Sequence, residues 1–365
     1  MLNKRVIILC NTYFQLIVAL KMKLTLWKQS EVSIIVTDHT KQMIQAISGL
    51  KESGLFENVI YWETNKIDKK EPSNFNKLRL FLECTHKRNR CKNLLGNKVF
   101  DEFVFYNNAF SSYLLFSYLY GKNHNIVVSR MEEGVTSYND KFEEGLGGGR
   151  RLFDFIKKYR TIFNRKDLYA KVQWFYCFVP KLYEGSIKTV QIPSITNSDN
   201  VLKDVLRNIF NINKDTLSYP CKYIYFASIG DLEGGEKVGE VDLVRMLVEK
   251  VGKENLMVKL HPRDYSGQFE KLGVVIDKNK SIPWEAIQLN YDFSGYTFIS
   301  TISSSVLSLN VVYDSGAKIC MLHRLSNYRN NIHGKRNAEE IEKIAQNVDV
   351  KNLFLINNMD EILNN

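Results

Sequence analysis

The chain has 365 residues, 44% of them hydrophobic, with 19 Tyr and 21 Phe. That is enough apolar material for two cores, because single cores stop growing near ~250–300 residues, and too much for a disordered chain. A net charge of +10 suits nucleic acid, an anionic membrane face or anionic substrates, and the absence of any DNA- or RNA-binding motif argues against nucleic acid.

The opening "MLNKRVIILCNTYF" has too short an apolar run for a signal peptide, and "RVIILC" reads as a first strand. No stretch reaches the ~18 apolar residues that cross a bilayer, so a cytoplasmic protein is expected. "NTYFQLIVALKMKLTL" has helical spacing behind an Asn11 or Thr12 cap. Then come the strand "VSIIVTD", the helix "KQMIQAISGLKES", and the strands "FENVIYWE", "EFVFYNN" and "NIVVSR", with the helix "AFSSYLLFSYLYG" between the last two. The six cysteines are 10, 84, 91, 177, 221 and 320. Cys84 and Cys91, with His86 between them, lack zinc-site spacing, so free thiols and no metal are expected.

Residues 150–166, "RRLFDFIKKYRTIFNRK", carry seven Lys/Arg around a helical apolar stripe formed by 152, 155, 156, 159, 162 and 163. This reads as a surface helix or as an element that lies on an anionic inner-membrane face. A polar stretch from Pro193 to Pro220, with a helix at "VLKDVLRNIF", connects to a second alternating series: "YIYFAS", "EVDLVRMLVEKVG", "LMVKL", "GVVID", "IPWEAIQLN", "TFIS" and "KICML". Strands alternating with helices predict parallel βαβ units, and two such series predict a GT-B-like α/β fold of two Rossmann-like lobes with a cleft between them. The expected domains are 1–195, an N-terminal acceptor-side lobe; 196–220, a linker; 221–335, a donor-binding lobe; and 336–365, a helical tail. No GxGxxG or GxxxxGK[ST] follows the first strand, which argues against dinucleotide oxidoreductases and P-loop enzymes.

Chemistry-bearing residues gather at strand exits. Glu132, Glu133 and Gly134 follow "NIVVSR"; paired carboxylates there raise one another's pKa and suit a general base or a hydroxyl acceptor, or else form a solvated turn. His261 follows "LMVKL" directly, and Pro262 ends that strand. An imidazole in that place donates to a phosphate oxygen, unless it is a packing residue. Ser303, Ser304 and Ser305 follow "TFIS" and offer hydroxyls to an anion, although one Ser suffices as a helix cap. Glu285 in "SIPWEAI", with Pro283 in the first turn, would accept from a ribose diol.

In this order, "CNTYFQL", "EEG", "HP", "PWE" and "SSS" resemble the bacterial sialyltransferases, most closely glycosyltransferase family 52, the lipooligosaccharide sialyltransferase family. The resemblance covers most of the chain. It implies metal-independent, inverting transfer of sialic acid from CMP-sialic acid, without any cofactor, to a terminal galactose-type hydroxyl of a capsule or lipooligosaccharide. His261 would act at the CMP phosphate, Ser303 and Ser304 would hold that phosphate, and Glu285 the ribose. Lys259, Pro262 and Ser305 complete the donor side; Asn11, Gln15, Glu132 and Gly134 form the acceptor side. The general base is expected in "SIGDLEGGEKVGE", which offers Asp231, Glu233, Glu236 and Glu240, with Asp231 and Glu236 placed ahead of Glu133. Members of that family are dimers, so a homodimer is expected too. Two other readings stay open: a hexosyltransferase using another sugar nucleotide, and a non-catalytic glycan- or anion-binding protein.

Overall fold

The computed structural model describes residues 4–68, 90–106, 109–139, 165–213, 217–228, 239–261, 264–277, 279, 282–303, 305–330 and 332–364. Cys84, His86, Asp231, Glu233, Glu236, Pro262, Ser304 and the basic segment through residue 164 lie outside them. The chain divides into two compact units. Unit one is Met1–Glu133, Tyr138–Pro193 and Asp204–Phe210; unit two is Gly134–Ser137, Ser194–Lys203 and Asn211–Asn365.

Unit one is built on a seven-stranded sheet in the order β3-β2-β1-β4-β5-β6-β7. Its strands are β1 (Arg5–Cys10), β2 (Glu31–Thr37), β3 (Asn58–Trp62), β4 (Glu102–Phe105), β5 (Val127–Met131), β6 (Val172–Cys177) and β7 (Lys188–Gln191), and every pairing is parallel. Parallel strands need crossovers, which cover both faces of the sheet. That is why β1 reads as an unbroken apolar run and is buried from Val6 onward. Helix α1 (Tyr13–Leu24) starts at Thr12, whose hydroxyl accepts from the Gln15 amide at 3.3 Å; of the two caps the sequence allowed, Thr12 is the one used. Helix α2 (Ala46–Glu52) and helix α3 (Phe110–Lys122) also connect strands. Against α3 packs a core that includes Phe103, Phe105, Tyr113, Phe116 and Leu168.

Unit two repeats the pattern with six parallel strands in the order β10-β9-β8-β11-β12-β13. These are β8 (Tyr223–Phe226), β9 (Leu256–Lys259), β10 (Val275–Ile276), β11 (Thr297–Ser300), β12 (Lys318–Met321) and β13 (Leu353–Leu355). In each unit the third, second, first, fourth, fifth and sixth strands lie side by side, an order shared by two halves with no detectable sequence repeat. Helix α4 (Asn200–Phe210) lies in the stretch expected as a linker. In unit two, α5 (Glu240–Val251) ends at Gly252, whose φ of 83° is left-handed, as a helix stop requires. Helix α6 (Trp284–Asn290) follows Pro283, which sits at the cap position, one residue before the first turn. Helices α7 (Ser305–Asn310) and α8 (Ile332–Asn347) follow β11 and β12.

Three strands departed from expectation. Strands β6 and β7 were not anticipated, and the supposed helical tail 336–365 contributes β13, which pairs with β12. β7 and β13 are short sheet edges with at most half-buried residues, so they lack the continuous apolar signature of the central strands. The described cysteines are all buried with free thiols. No helix among the described residues is long and apolar enough to cross a membrane.

Candidate functional site

In a doubly wound sheet the strand order reverses beside the first strand, and the carboxyl ends there leave a crevice where ligands bind. In unit two that point lies between β8 and β11. Ser300 at the end of β11 donates its hydroxyl to the Phe226 carbonyl of β8 at 2.9 Å, and its oxygen accepts from the Ser303 amide at 3.1 Å. The turn after β11 is thereby fastened to β8. The Ser303 and Ser305 hydroxyls lie 2.7 Å apart, so one bonds the other and the pair keeps a free hydrogen for an anion.

His261 follows β9 by two residues and is half-buried. Its carbonyl accepts from the Asp264 amide at 2.8 Å, and Asp264 Oδ1 accepts from the Ser266 amide at 2.8 Å. Lys259, the last residue of β9, turns to protein partners: its Nζ is 3.0 Å from Asp277 Oδ2 and 5.5 Å from the centre of the Trp284 ring. The Asp277 carboxylate is almost wholly buried, with 3% of the side chain exposed against 20% for Lys259. The lysine therefore joins β9, the end of β10 and the start of α6. Trp284 packs edge-on against Phe226 and Phe298, at centroid separations of 4.8 and 5.4 Å. Such pairs are worth ~0.5–1.5 kcal/mol each beyond simple burial, enough to fix the first turn of α6 and the next residue, Glu285. Burial pushes the Glu285 carboxyl above the ordinary range, opposed by its own backbone N–H and by the charge of Lys259.

The reversal point of unit one, between β1 and β4, is a closed polar network. Gln15 Oε1 accepts from the Asn11 amide at 2.7 Å, and Asn11 Oδ1 accepts from the Thr37 hydroxyl at 2.8 Å. Glu133 accepts from Thr12 Oγ1 at 2.7 Å and from Gln15 Nε2, tying the exit of β5 to the first turn of α1. Asn11 and Gln15 are buried, so the acceptor-side role expected for them falls on side chains that mostly face each other. The Asn11 Nδ2 group is buried with no hydrogen-bond partner among the described residues.

Glu132, also expected on the acceptor side, is enclosed by protein. Its side chain has no exposed surface; Oε2 accepts from Tyr138 Oη at 2.5 Å and from the Phe178 amide at 2.8 Å, while Oε1 is buried without a partner among the described residues. Its pKa rises to about 7, but burial is the main cause and Glu133 the smallest. The pairing argument from sequence therefore reached the right direction for a secondary reason. Gly134, also expected on the acceptor side, has a φ of +80° and a Cβ there would meet Ser308 Oγ at 2.6 Å, so only glycine fits.

In unit two, Lys259, His261 and Ser303 thus lie at or just beyond strand exits, while Ser305 opens α7 and Glu285 sits in the first turn of α6. Sequence reasoning missed Asp277, the partner of Lys259, although it ends the apolar run "GVVID" as the other site residues end theirs. It also missed Tyr225, Ser228 and Thr301, which join Glu240 in a buried network. Beyond β12, His323 Nε2 lies 2.8 Å from Glu342 Oε1, and Arg324 clasps the same carboxylate at 2.7 and 2.9 Å.

No protein-family model and no curated protein matches the chain. Among solved structures it is similar to a glycotransferase of kitacinnamycin, with a TM-score of 0.51 and 10% identity over 98% of this chain and 86% of that one. It is also similar to LpCGTa in complex with UDP, with a TM-score of 0.51 and 12% identity over 99% and 89%. MurG of Acinetobacter baumannii aligns with a TM-score of 0.42 and 11% identity over 98% and 88%. At such identities the likeness is one of fold: two parallel-sheet Rossmann-like units of the GT-B class, as the alternating strands and helices predicted.

Proposed function

We propose that the chain is a GT-B glycosyltransferase that holds its sugar nucleotide in unit two, and that its donor is CMP-sialic acid. One observation carries the reading. A half-buried imidazole follows β9, a paired serine hydroxyl follows β11 and a carboxyl lies in the first turn of α6, all in the unit built on one parallel sheet. The donor reading adds the order of "EEG", "HP", "PWE" and "SSS" along the chain and a net charge of +10 for a substrate carrying both phosphate and carboxylate.

In the proposed reaction an acceptor hydroxyl attacks the anomeric carbon as the bond to the CMP phosphate oxygen breaks, with inversion. The electron pair leaves on the phosphate. The Ser303–Ser305 pair donates its one free hydroxyl hydrogen to it, Ser304 donates a second, and His261 supplies a proton or a strong hydrogen bond to its oxygen. Glu285 accepts from the ribose hydroxyls. A carboxylate takes the acceptor proton; Asp231 and Glu236 are the first candidates and Glu133 the next, the last already accepting from Thr12 and Gln15. The acceptor is a terminal galactose-type hydroxyl of a bacterial surface glycan.

One observation favours a second reading: LpCGTa, one of the structures of the same fold, is in complex with UDP. A hexosyltransferase would use the same ribose and phosphate contacts. Incubation with labelled CMP-sialic acid and a panel of UDP-sugars, with lactose as acceptor, separates the two. Turnover of CMP-sialic acid is expected. Turnover of UDP-sugars alone rejects the sialyl donor, and turnover of neither leaves a glycan-binding protein.

A further inference from the structure

Glu240 opens α5, has no exposed surface, and was among the acidic residues from which a base was expected. Its surroundings give it other work. Oε1 accepts from Tyr225 Oη at 2.9 Å, and Oε2 accepts from Ser228 Oγ at 2.9 Å. The Ser228 amide bisects the carboxylate, at 3.2 and 3.1 Å from its two oxygens. Tyr225 Oη also lies 2.7 Å from Thr301 Oγ1. Tyr225 has one hydroxyl hydrogen and spends it on the carboxylate, so Thr301 donates to Tyr225. The resulting relay runs from Thr301 on the exit of β11, through Tyr225 on β8, to Glu240. Every donor in it converges on an acceptor-only group in a buried place, where charge-assisted bonds are strong and directional.

These bonds lie at the reversal point of unit two. Thr301 adjoins Ser300, which grips the Phe226 carbonyl and the Ser303 amide. On the other side of the turn, Asn337 Nδ2 donates to the Ile302 carbonyl at 3.1 Å. Ser303 therefore has its place set from β8 through two routes, and Glu240 anchors the one through Tyr225 and Thr301. We propose that Glu240 is the positioning residue of the phosphate site: through Ser228, Tyr225 and Thr301 it sets the gap between the exits of β8 and β11 in which the nucleotide phosphate meets Ser303. The inference rests on the sugar-nucleotide reading above and removes Glu240 from the candidates for the base, since a carboxylate committed to these donors inside the protein does not reach an acceptor hydroxyl.

The test uses Glu240→Gln, whose amide NH2 faces donors where the carboxylate faced them as an acceptor, and Tyr225→Phe, which removes the hydroxyl that links Glu240 to Thr301 and leaves the Ser228 bonds to Glu240 in place. CMP and UDP affinities are measured by calorimetry on the full chain, together with amide exchange at residues 226–228 and 299–303. Glu240→Gln should weaken the bound nucleotide about 10–100-fold and speed exchange at 299–303, and Tyr225→Phe should do the same to a smaller degree. Faster exchange with unchanged affinity would make Glu240 a merely structural anchor and overturn the proposal. Weaker affinity with unchanged exchange at 299–303 would overturn it as well, since Glu240 would then act without moving the turn. A wild-type protein that binds neither nucleotide refutes the functional reading itself, and this proposal with it, from the wild-type control alone.

Discussion

Glu132→Gln tests the electrostatics of the β5 exit directly. The wild-type carboxyl has no exposed surface, and burial lifts its pKa from 4.5 to about 7. Between those two values the folded protein keeps a proton that the unfolded chain releases, so this group's contribution to stability is complete below pH 4.5 and is lost as the pH rises to about 7. At ~1.4 kcal/mol per pH unit, the loss across that window amounts to about 3 kcal/mol. A glutamine keeps an oxygen for Tyr138 and the Phe178 amide and never ionises. Its NH2 would occupy the site of the unpartnered Oε1, at a cost of ~1–3 kcal/mol that does not vary with pH. Urea unfolding of both proteins from pH 5 to 8.5 should therefore show wild type losing ground to the variant by about 2 kcal/mol between pH 5 and 7, then levelling off to a constant difference by about pH 8. Curves that stay parallel from pH 5 to 8 would refute the argument, because they would mean that Glu132 has the same pKa folded and unfolded.

The other predictions concern the two strand-exit networks. Lys259→Met leaves the Asp277 carboxylate buried without its cation, held only by the Asn279 amide, and should cost ~3–5 kcal/mol in denaturant unfolding; adding Asp277→Leu should restore much of it, whereas additive losses would show that the pair is not coupled. Gly134→Ala combines a left-handed φ with a clash at Ser308 Oγ and should destabilise by ~1–3 kcal/mol; adding Ser308→Ala should recover only part, since the backbone strain stays. His261→Ala should lower turnover at least ~100-fold with the true donor if the imidazole serves the leaving phosphate, and a small loss would reject that role. Among Asp231→Asn, Glu236→Gln and Glu133→Gln, assayed at saturating donor and acceptor, the base should lose kcat while binding residues mainly raise KM.

Much of the second half was legible in order. The runs ending at Lys259, Asp277 and Ser300 were recognisable as strands from apolar content, and a residue that follows such a run must lie at the carboxyl edge of a parallel sheet. His261 and the serines could be placed there before any coordinates, because strand direction is local information, whereas Glu285 could be placed only at a helix start, behind Pro283. Lys259 shows the limit. Its sequence position marked it for the donor, yet its ammonium pairs with Asp277, 18 residues away, and lies by Trp284, 25 residues away. Which of two nearby partners a lysine takes depends on side-chain directions across three elements, and no spacing rule contains that.

The sequence by itself determined two α/β halves, the strands at their centres and the edge on which the polar residues collect. These follow from the periodicity of burial, a property each segment carries alone. Tertiary structure decided which acids are free and which are not. Glu132, Glu133 and Glu240 look alike as letters beside glycines, but one is sealed beneath Tyr138, one bridges to Thr12 and Gln15, and one gathers Ser228 and Tyr225. The role of a carboxylate is set by how many donors reach it and how much water does, and both are fixed only when distant strands are brought side by side.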